Sequence, residues 1–281
     1  MSSLSLPLVT ALLTTCLVSA EPLHTCEGTD PSFATLLESG GIKAGERFAD
    51  GPVLGSRITV NKELLEKQTG KTGPIPKDIG IHTQGSGGIS RKNFAKWTRW
   101  YQEDGNVQVF RLFKGEQNVR GGTGKDGSPG RVEAYSRALI VAPGIWREWE
   151  GTYTVIQPVD ACILQLMHEG SLWPFHIEMS AKGDISFLRR RPVPGLEREI
   201  VMASDMTGKS LRIKVRANGT DYEVYQKPPF DAGPWKLVAK GSFTKAKDNK
   251  VSFRWGMYAG SKKGESIRND ALLFVTGVAI Q

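Results

Sequence analysis

The sequence predicts an all-β fold, a two-sheet sandwich of jelly-roll type with one short N-terminal helix. Three observations lead there. From Trp97 onward, about ten runs of β-branched and aromatic residues follow one another, separated by turn signals. No helical pattern alternates with them, so a βαβ rhythm is absent. The 32 glycines suit a protein rich in turns. At 281 residues the chain is long enough for one large domain, and no internal repeat or second domain shows in it.

Taken in order, the first element is a secretory leader. Residues 1–20, MSSLSLPLVTALLTTCLVSA, are apolar and free of acidic groups, and they end in Val18-Ser19-Ala20, small residues at a cleavage site. The run is short for a membrane anchor and no stop-transfer pattern follows, so the mature domain is expected at 21–281, secreted and extracellular. Asp30-Pro31 before SFATLLESGG predicts a helix with Asp30 as N-cap, Pro31 as its first residue and Gly40 as its stop. Residues 68–90 read as loop, His82 included. The strand runs are VQVFRLF, RVEAYSRALIV, GTYTVI, ACILQLMH, FHIEMS, DISFLRRR, LRIKVRA, DYEVYQK, WKLVAKGSF, VSFRWGMY and ALLFVTGVAI. Asn218-Gly219 joins two of them as a hairpin. The glycine-rich stretch 121–130 lacks the lysine and following helix of a phosphate loop, and reads as a surface loop.

Composition narrows the partners. The formal charge is +8 and the isoelectric point about 9.4. A basic secreted protein attracts polyanions, of which acidic polysaccharide is the most accessible outside the cell. Once Cys16 leaves with the leader, Cys26 and Cys162 remain, an even pair in an oxidising compartment and a disulfide candidate. Asn218-Gly219-Thr220 is an N-glycosylation sequon in a turn.

Three strands carry polar side chains on one face at period two. Arg131, Glu133 and Tyr135 share a face in RVEAY, and Arg254, Gly256 and Tyr258 share one in VSFRWGMY. Gln165 and His168 stand close together in ACILQLMH. Arg, Gln, His and Tyr together suit β-elimination on a uronic-acid polymer. The C5 proton lies next to a carboxylate, which cations and hydrogen-bond donors must neutralise before the proton can leave. A base then takes that proton and an acid protonates the departing O4. A tyrosine hydroxyl can do both, provided a nearby cation favours its charged form. Positions four apart on a straight strand are roughly 13 Å apart. Arg254 therefore fits the role of holding a neighbouring sugar carboxylate, and Gly256 leaves room for a sugar ring. Arg111 in VQVFRLF and His82 in IHTQGSGG complete the candidate binding set.

FRWGMYAG resembles the F-K-A-G-x-Y strand of jelly-roll alginate lyases and is similar to the lysine-to-tyrosine strand of the heparin lyase and glucuronan lyase group. R-V-E at 131–133 resembles the R-x-E strand of alginate lyases, and QLMH at 165–168 the Q-x-H strand of both groups. The resemblance covers roughly residues 95–281 and keeps the motif order. It implies a β-jelly roll of the concanavalin A-like two-sheet type, with substrate on the concave face. It implies His168 and Tyr258 as base and acid, Gln165, Arg131 and Arg254 as carboxylate-neutralising groups, and Glu133 as an organiser of the arginines. No cofactor is required for catalysis; the resemblance to glucuronan lyases allows a structural Ca²⁺, without assignable ligands. A monomer is expected.

Two features depart from those families. Gln165 and His168 are separated by two residues, so a regular strand sends them to opposite faces unless a β-bulge intervenes. Without one, Cys162, Leu164, Leu166 and His168 share a face. Arg254 stands where lysine is usual, and forks onto carboxylates. Glucuronan is favoured as substrate, alginate next. The main rival is a non-catalytic, lectin-like module for acidic polysaccharide, with Trp97, Trp100, Trp146, Trp149 and Trp173 as stacking platforms. A glycoside hydrolase would need paired carboxylates; Glu148 and Glu150 share a face, but in a context that reads as a loop or edge. The basic stripe Arg212, Lys214, Arg216 reads as a solvated or polyanion-binding face rather than a nucleic-acid site. No metal-ligand spacing occurs.

Overall fold

The computed structural model describes residues 21–40, 52–84, 88–116, 130–142, 144–168, 174–190, 193–230, 232–242, 250–259 and 267–281. The expected leader, most of the 121–130 loop and Trp173 lie outside them. In chain order the strands are β1 (His24–Glu27), β2 (Arg57–Val60), β3 (Ile79–His82), β4 (Ile89–Ser90), β5 (Tyr101–Asp104) and β6 (Val107–Leu112). There follow β7 (Arg131–Ser136), β8 (Leu139–Ile140), β9 (Arg147–Gln157), β10 (Ala161–His168), β11 (Phe175–Met179) and β12 (Ile185–Arg189). The last are β13 (Glu199–Ala203), β14 (Ser210–Ala217), β15 (Asp221–Lys227), β16 (Lys236–Ser242), β17 (Lys250–Ala259) and β18 (Ala271–Ile280).

They form two large antiparallel sheets and a small one. The 9-stranded sheet runs β13-β12-β11-β10-β17-β7-β3-β4, with β8 also on β17. The 7-stranded sheet runs β16-β15-β14-β9-β18-β6-β5. Alternation in the sequence dictates which side of each strand is buried. Leu211, Ile213 and Val215 of β14 and Phe253, Trp255 and Met257 of β17 lie in the core between the sheets. There Trp255 of one sheet meets Trp149 of the other at 5.9 Å, and its indole N–H donates to Gln108 Oε1 at 2.9 Å. Each fully buried aromatic contributes about 1.5–3 kcal/mol through removal from water.

The N-terminal segment corrects three expectations. The first helix is α1 (Phe33–Ser39), and Ser32, not Asp30, is its N-cap, accepting from the Thr35 N–H; Gly40 ends it as expected. Asp30 instead pairs with Arg111 at 3.2 Å and accepts from the Ser56 N–H at 3.0 Å. A second helix, α2 (Lys62–Thr69), falls where residues 21–80 gave no helical reading beyond the first. Cys26 and Cys162 are both free thiols. Cys26 sits on exposed β1 in the small sheet and Cys162 is buried on β10 in the 9-stranded sheet, so the fold never brings them together. Asn218 is 8% exposed, and its Oδ1 accepts from the Thr220 and Asp221 N–H groups. That seats its side-chain oxygen in the hairpin.

Among the described residues, no helix is long and apolar enough to cross a membrane.

Candidate active site

Four adjacent strands of the 9-stranded sheet bring the polar positions together on the face turned away from the core. The β7–β17 ladder is regular: Arg131 pairs with Tyr258, Glu133 with Gly256 and Tyr135 with Arg254. On the other side of β17, Gln165 of β10 pairs with Arg254 and Cys162 with Tyr258. Directly opposed residues share a face. One row across the sheet therefore reads His176, Gln165, Arg254, Tyr135, Gly80, and the next reads Glu178, Cys162, Tyr258, Arg131.

The register also explains why these rows converge. Between the Gln165 row and the Cys162 row, β17 spends four steps, β10 three and β11 two, because the ladder slips between Cys162 and Leu164 on both sides of β10. Such bulges bend a strand and add twist. The bulge expected to unite Gln165 with His168 thus exists, but on the other side of Gln165. From Gln165 to His168 the pairing with β17 is regular, and His168 falls opposite Val251. The bulge also takes Cys162 out of the face it was expected to share with Leu164 and Leu166.

Hydrogen bonds hold the site. Glu133, 2% exposed, accepts from Gln165 Nε2 at 2.6 Å and lies 3.7 Å from the Arg131 guanidinium. It contacts the glutamine and one arginine. Arg131 lies over the Tyr258 ring at 4.5 Å, and its backbone N–H is fixed by the Oε1 of fully buried Gln84 at 2.9 Å. Arg254 differs from its neighbours. It makes no ion pair among the described residues, and its Nε has no hydrogen-bond partner there. Burial pushes its pKa below the ordinary guanidinium value, opposed by the charge of Glu133. It remains a cation, held half-buried at the centre of the rows.

His82 is the end residue of β3 rather than part of a loop. It stands in register with Glu133, with its ring 4.6 Å from that of Tyr135. Tyr135 lies across Gly80, where any Cβ would come within 2.2 Å of its ring. Gly256 corrects another expectation. Its φ is +121°, and a Cβ there would meet the Val132 carbonyl at 2.5 Å and Phe110 at 2.8 Å. The glycine serves the backbone and the packing of the core, not the approach of a sugar.

Arg111 belongs elsewhere. It is 4% exposed on β6, in the other sheet, and spends its guanidinium on Asp30, Ser56 and the Thr98 carbonyl. It ties the N-terminal segment to the sheet. Trp97, Trp100 and Trp149 are core residues at 7%, 0% and 0% exposure, which removes them as stacking platforms. By its alternation with Phe175 and Ile177, His176 reads in the sequence as a packing or solvent-facing residue and not as part of a site. Its ring Nδ1 lies 3.2 Å from Glu178 Oε1, and it is the direct cross-strand neighbour of Gln165. The signal was the alternation FHIEM, in which Phe175, Ile177 and Met179 are buried and His176 and Glu178 take the opposite side. Gln84 gave no signal, since its role depends on a contact with a distant strand. Among the described residues, no group of three or more His, Cys, Asp or Glu is arranged to hold a metal ion.

No protein-family model and no curated protein matches the chain. Solved structures do. Alginate lyase A1-II', a member of polysaccharide lyase family 7, superposes with a TM-score of 0.53 at 12% identity, over 73% of this chain and 94% of that one. A variant of the same lyase in complex with substrate gives 0.50 at 11% identity, over 72% and 90%. The alginate lyase from Klebsiella pneumoniae gives 0.50 at 14% identity, over 69% and 88%. At this identity the likeness is one of fold: the chain has the β-jelly-roll architecture of these alginate lyases.

Proposed function

We propose that the protein is a polysaccharide lyase that cleaves a polyuronate by β-elimination and leaves unsaturated uronate ends. The observation that carries this reading is Arg254, a half-buried cation with no ion pair among the described residues, between Gln165 and Tyr135 in one row and one row away from Tyr258. A cation that makes no ion pair in a partly dry setting, with the charge of Glu133 acting on it from beyond ion-pair reach, is disposed to receive an anion. A uronate carboxylate bound there is neutralised in the ground state and more strongly as charge develops on it. Gln165, fixed by Glu133, adds an amide beside it. Tyr258 is the candidate to move protons between C5 and O4, with its ring held by Arg131. His176, buttressed by Glu178, takes the place beside Gln165 that the sequence reading gave to His168.

The preference for glucuronan rested on the lack of a Q-x-H pattern. With a histidine beside Gln165 on the next strand, that argument loses its ground. The alginate lyases that share the fold favour alginate as the first substrate to try, with glucuronan second. A secreted protein acting as a monomer remains the accompanying expectation. The lectin-like alternative is weakened by the burial of three of its five tryptophans, Trp97, Trp100 and Trp149.

The test is ultraviolet absorbance of the unsaturated product, with purified protein on polymannuronate, polyguluronate, glucuronan and heparin, beside Tyr258→Phe and Arg254→Ala. A rise on one polymer that both variants reduce by about 10²–10³ fold supports the reading. Binding without any rise on the four polymers would sink the catalytic proposal in favour of a binding module.

A further inference from the structure

The outward face of the 7-stranded sheet, across the core from the candidate active site, carries a ladder of cations and aromatic rings. Burial alternates along β14, so Arg212, Lys214 and Arg216 point outward while Leu211, Ile213 and Val215 point into the core. Trp235, just before β16, is ringed by three cations. Lys214 Nζ lies 4.7 Å, Lys227 Nζ 5.1 Å and the Arg212 guanidinium 5.5 Å from its ring centre. Lys214 also lies 5.1 Å from the Tyr225 ring, and Arg216 4.3 Å from Trp146. From Arg212 to Arg216 the ladder spans roughly 13 Å of strand.

Glu148 and Glu150 lie on β9, in the interior of this sheet rather than on a loop or edge, and fix the cations in place. Arg212 pairs with Glu150, Lys214 with Glu148 at 3.9 Å, and Arg216 with Glu223 at 3.5 Å. Lys227 makes no ion pair among the described residues, and Lys240 of β16 is exposed. Cations therefore outnumber carboxylates along this stretch, with Lys227 at the indole and Lys240 in register with Glu223 at the Arg216 end. Phe230 and Leu237 nearby are 59% and 46% exposed.

We propose that this face is a second, non-catalytic binding site for an anionic polysaccharide chain, centred on Trp235 with Lys227, Lys214 and Arg212. An indole offers an apolar face to the C–H side of a sugar ring, and the cations that lie over this indole take the carboxylates. The choice of a polyuronate as the ligand rests on the proposed function. The site itself rests on the ladder and its charge. Because the core separates the two faces, a chain held here is a different segment from the one held at Arg254, and tethering raises its effective concentration at the active site.

The experiment is affinity electrophoresis of the full chain in native gels containing alginate, glucuronan or no polymer, with single-stranded DNA gels as the comparison. Trp235→Ala and Lys227→Glu are each placed in wild type and in Arg254→Ala. Two variants are used because the half-buried indole also packs, whereas Lys227 can change without loss of folding; circular dichroism checks both. Retardation by a polyuronate that falls several-fold in each variant, with losses that multiply on the Arg254→Ala background, is the expected result. Unchanged retardation in both variants overturns the site. Losses that do not multiply overturn its independence from the active site, and a stronger loss on DNA than on either polyuronate overturns the ligand assignment. These readouts are binding alone, so a protein that yields no unsaturated product would refute the lyase reading and leave this result to stand or fall by itself.

Discussion

The guanidinium of Arg131 lies 4.5 Å from the centre of the Tyr258 ring, across a directly paired position of β7 and β17. The cation is held from behind by Glu133 and by the Gln84 contact to its backbone. It therefore fixes the orientation of the phenol as well as the field around it. Arg131→Met is expected to lower kcat about tenfold, roughly 1.4 kcal/mol of barrier, with a smaller change in KM. Arg131→Lys, which keeps charge but loses the planar contact, should fall between. Equal kcat in all three proteins would show that the arginine only covers the ring.

His176 and His168 can be separated by substitution. His176→Ala removes the ring beside Gln165 and is expected to cost about 10²–10⁴ fold in turnover, the usual contribution of a proton-transfer group. His168→Ala is expected to leave most of it. The reverse ranking would return the role to the residue the sequence pattern first named.

Gly256→Ala tests the backbone. The substitution puts a side chain at φ +121° and drives its Cβ into the Val132 carbonyl and Phe110. Strain of this kind costs about 1–3 kcal/mol and overpacking about as much again. The urea midpoint should drop markedly with an unchanged slope. A variant as stable as the parent would mean that the strand relaxes freely at its bulge.

The two thiols should differ in reactivity. Burial pushes the Cys162 thiol well above its ordinary value, helped by the charges of Glu133 and Glu178, whereas Cys26 is exposed. Because the thiolate is the nucleophile, alkylation of the native protein at mildly alkaline pH should label Cys26 and spare Cys162 until the chain unfolds. Peptide mapping of the label reads this directly. Rapid native labelling of Cys162 would show that the site opens.

Buried tyrosines set the alkaline limit. Burial raises Tyr101 and Tyr153 well above the ordinary phenol value of about 10. The folded state therefore holds these protons more tightly than the unfolded chain does. Their contribution to stability is complete below the unfolded value and is lost as pH rises above it toward the folded one. Tyrosinate absorbance should show a late fraction that appears together with loss of near-ultraviolet circular dichroism. Full ionisation of every tyrosine before unfolding would contradict this.

The sequence by itself determined most of the strands from Val107 onward and the polar face of two of them, because a period of two is a local property of the backbone. RVEAY and VSFRWGMY needed no partner to show that Arg131, Glu133, Tyr135, Arg254 and Tyr258 lie on common faces. Asn218-Gly219 marked its hairpin for the same reason, as the turn chemistry is contained in two residues. What only the tertiary structure decided was register. The slip between Cys162 and Leu164 arises from pairing with two neighbouring strands at once, and no pattern within ACILQLMH encodes it. That slip moved Cys162 into the row of Tyr258, and the pairing of β10 with β11 set His176 beside Gln165, which no spacing within β10 could show. Arg111 and Asp30, 81 residues apart, found each other for a similar reason. A buried charge needs a counter-charge, and only the folded chain brings one within reach.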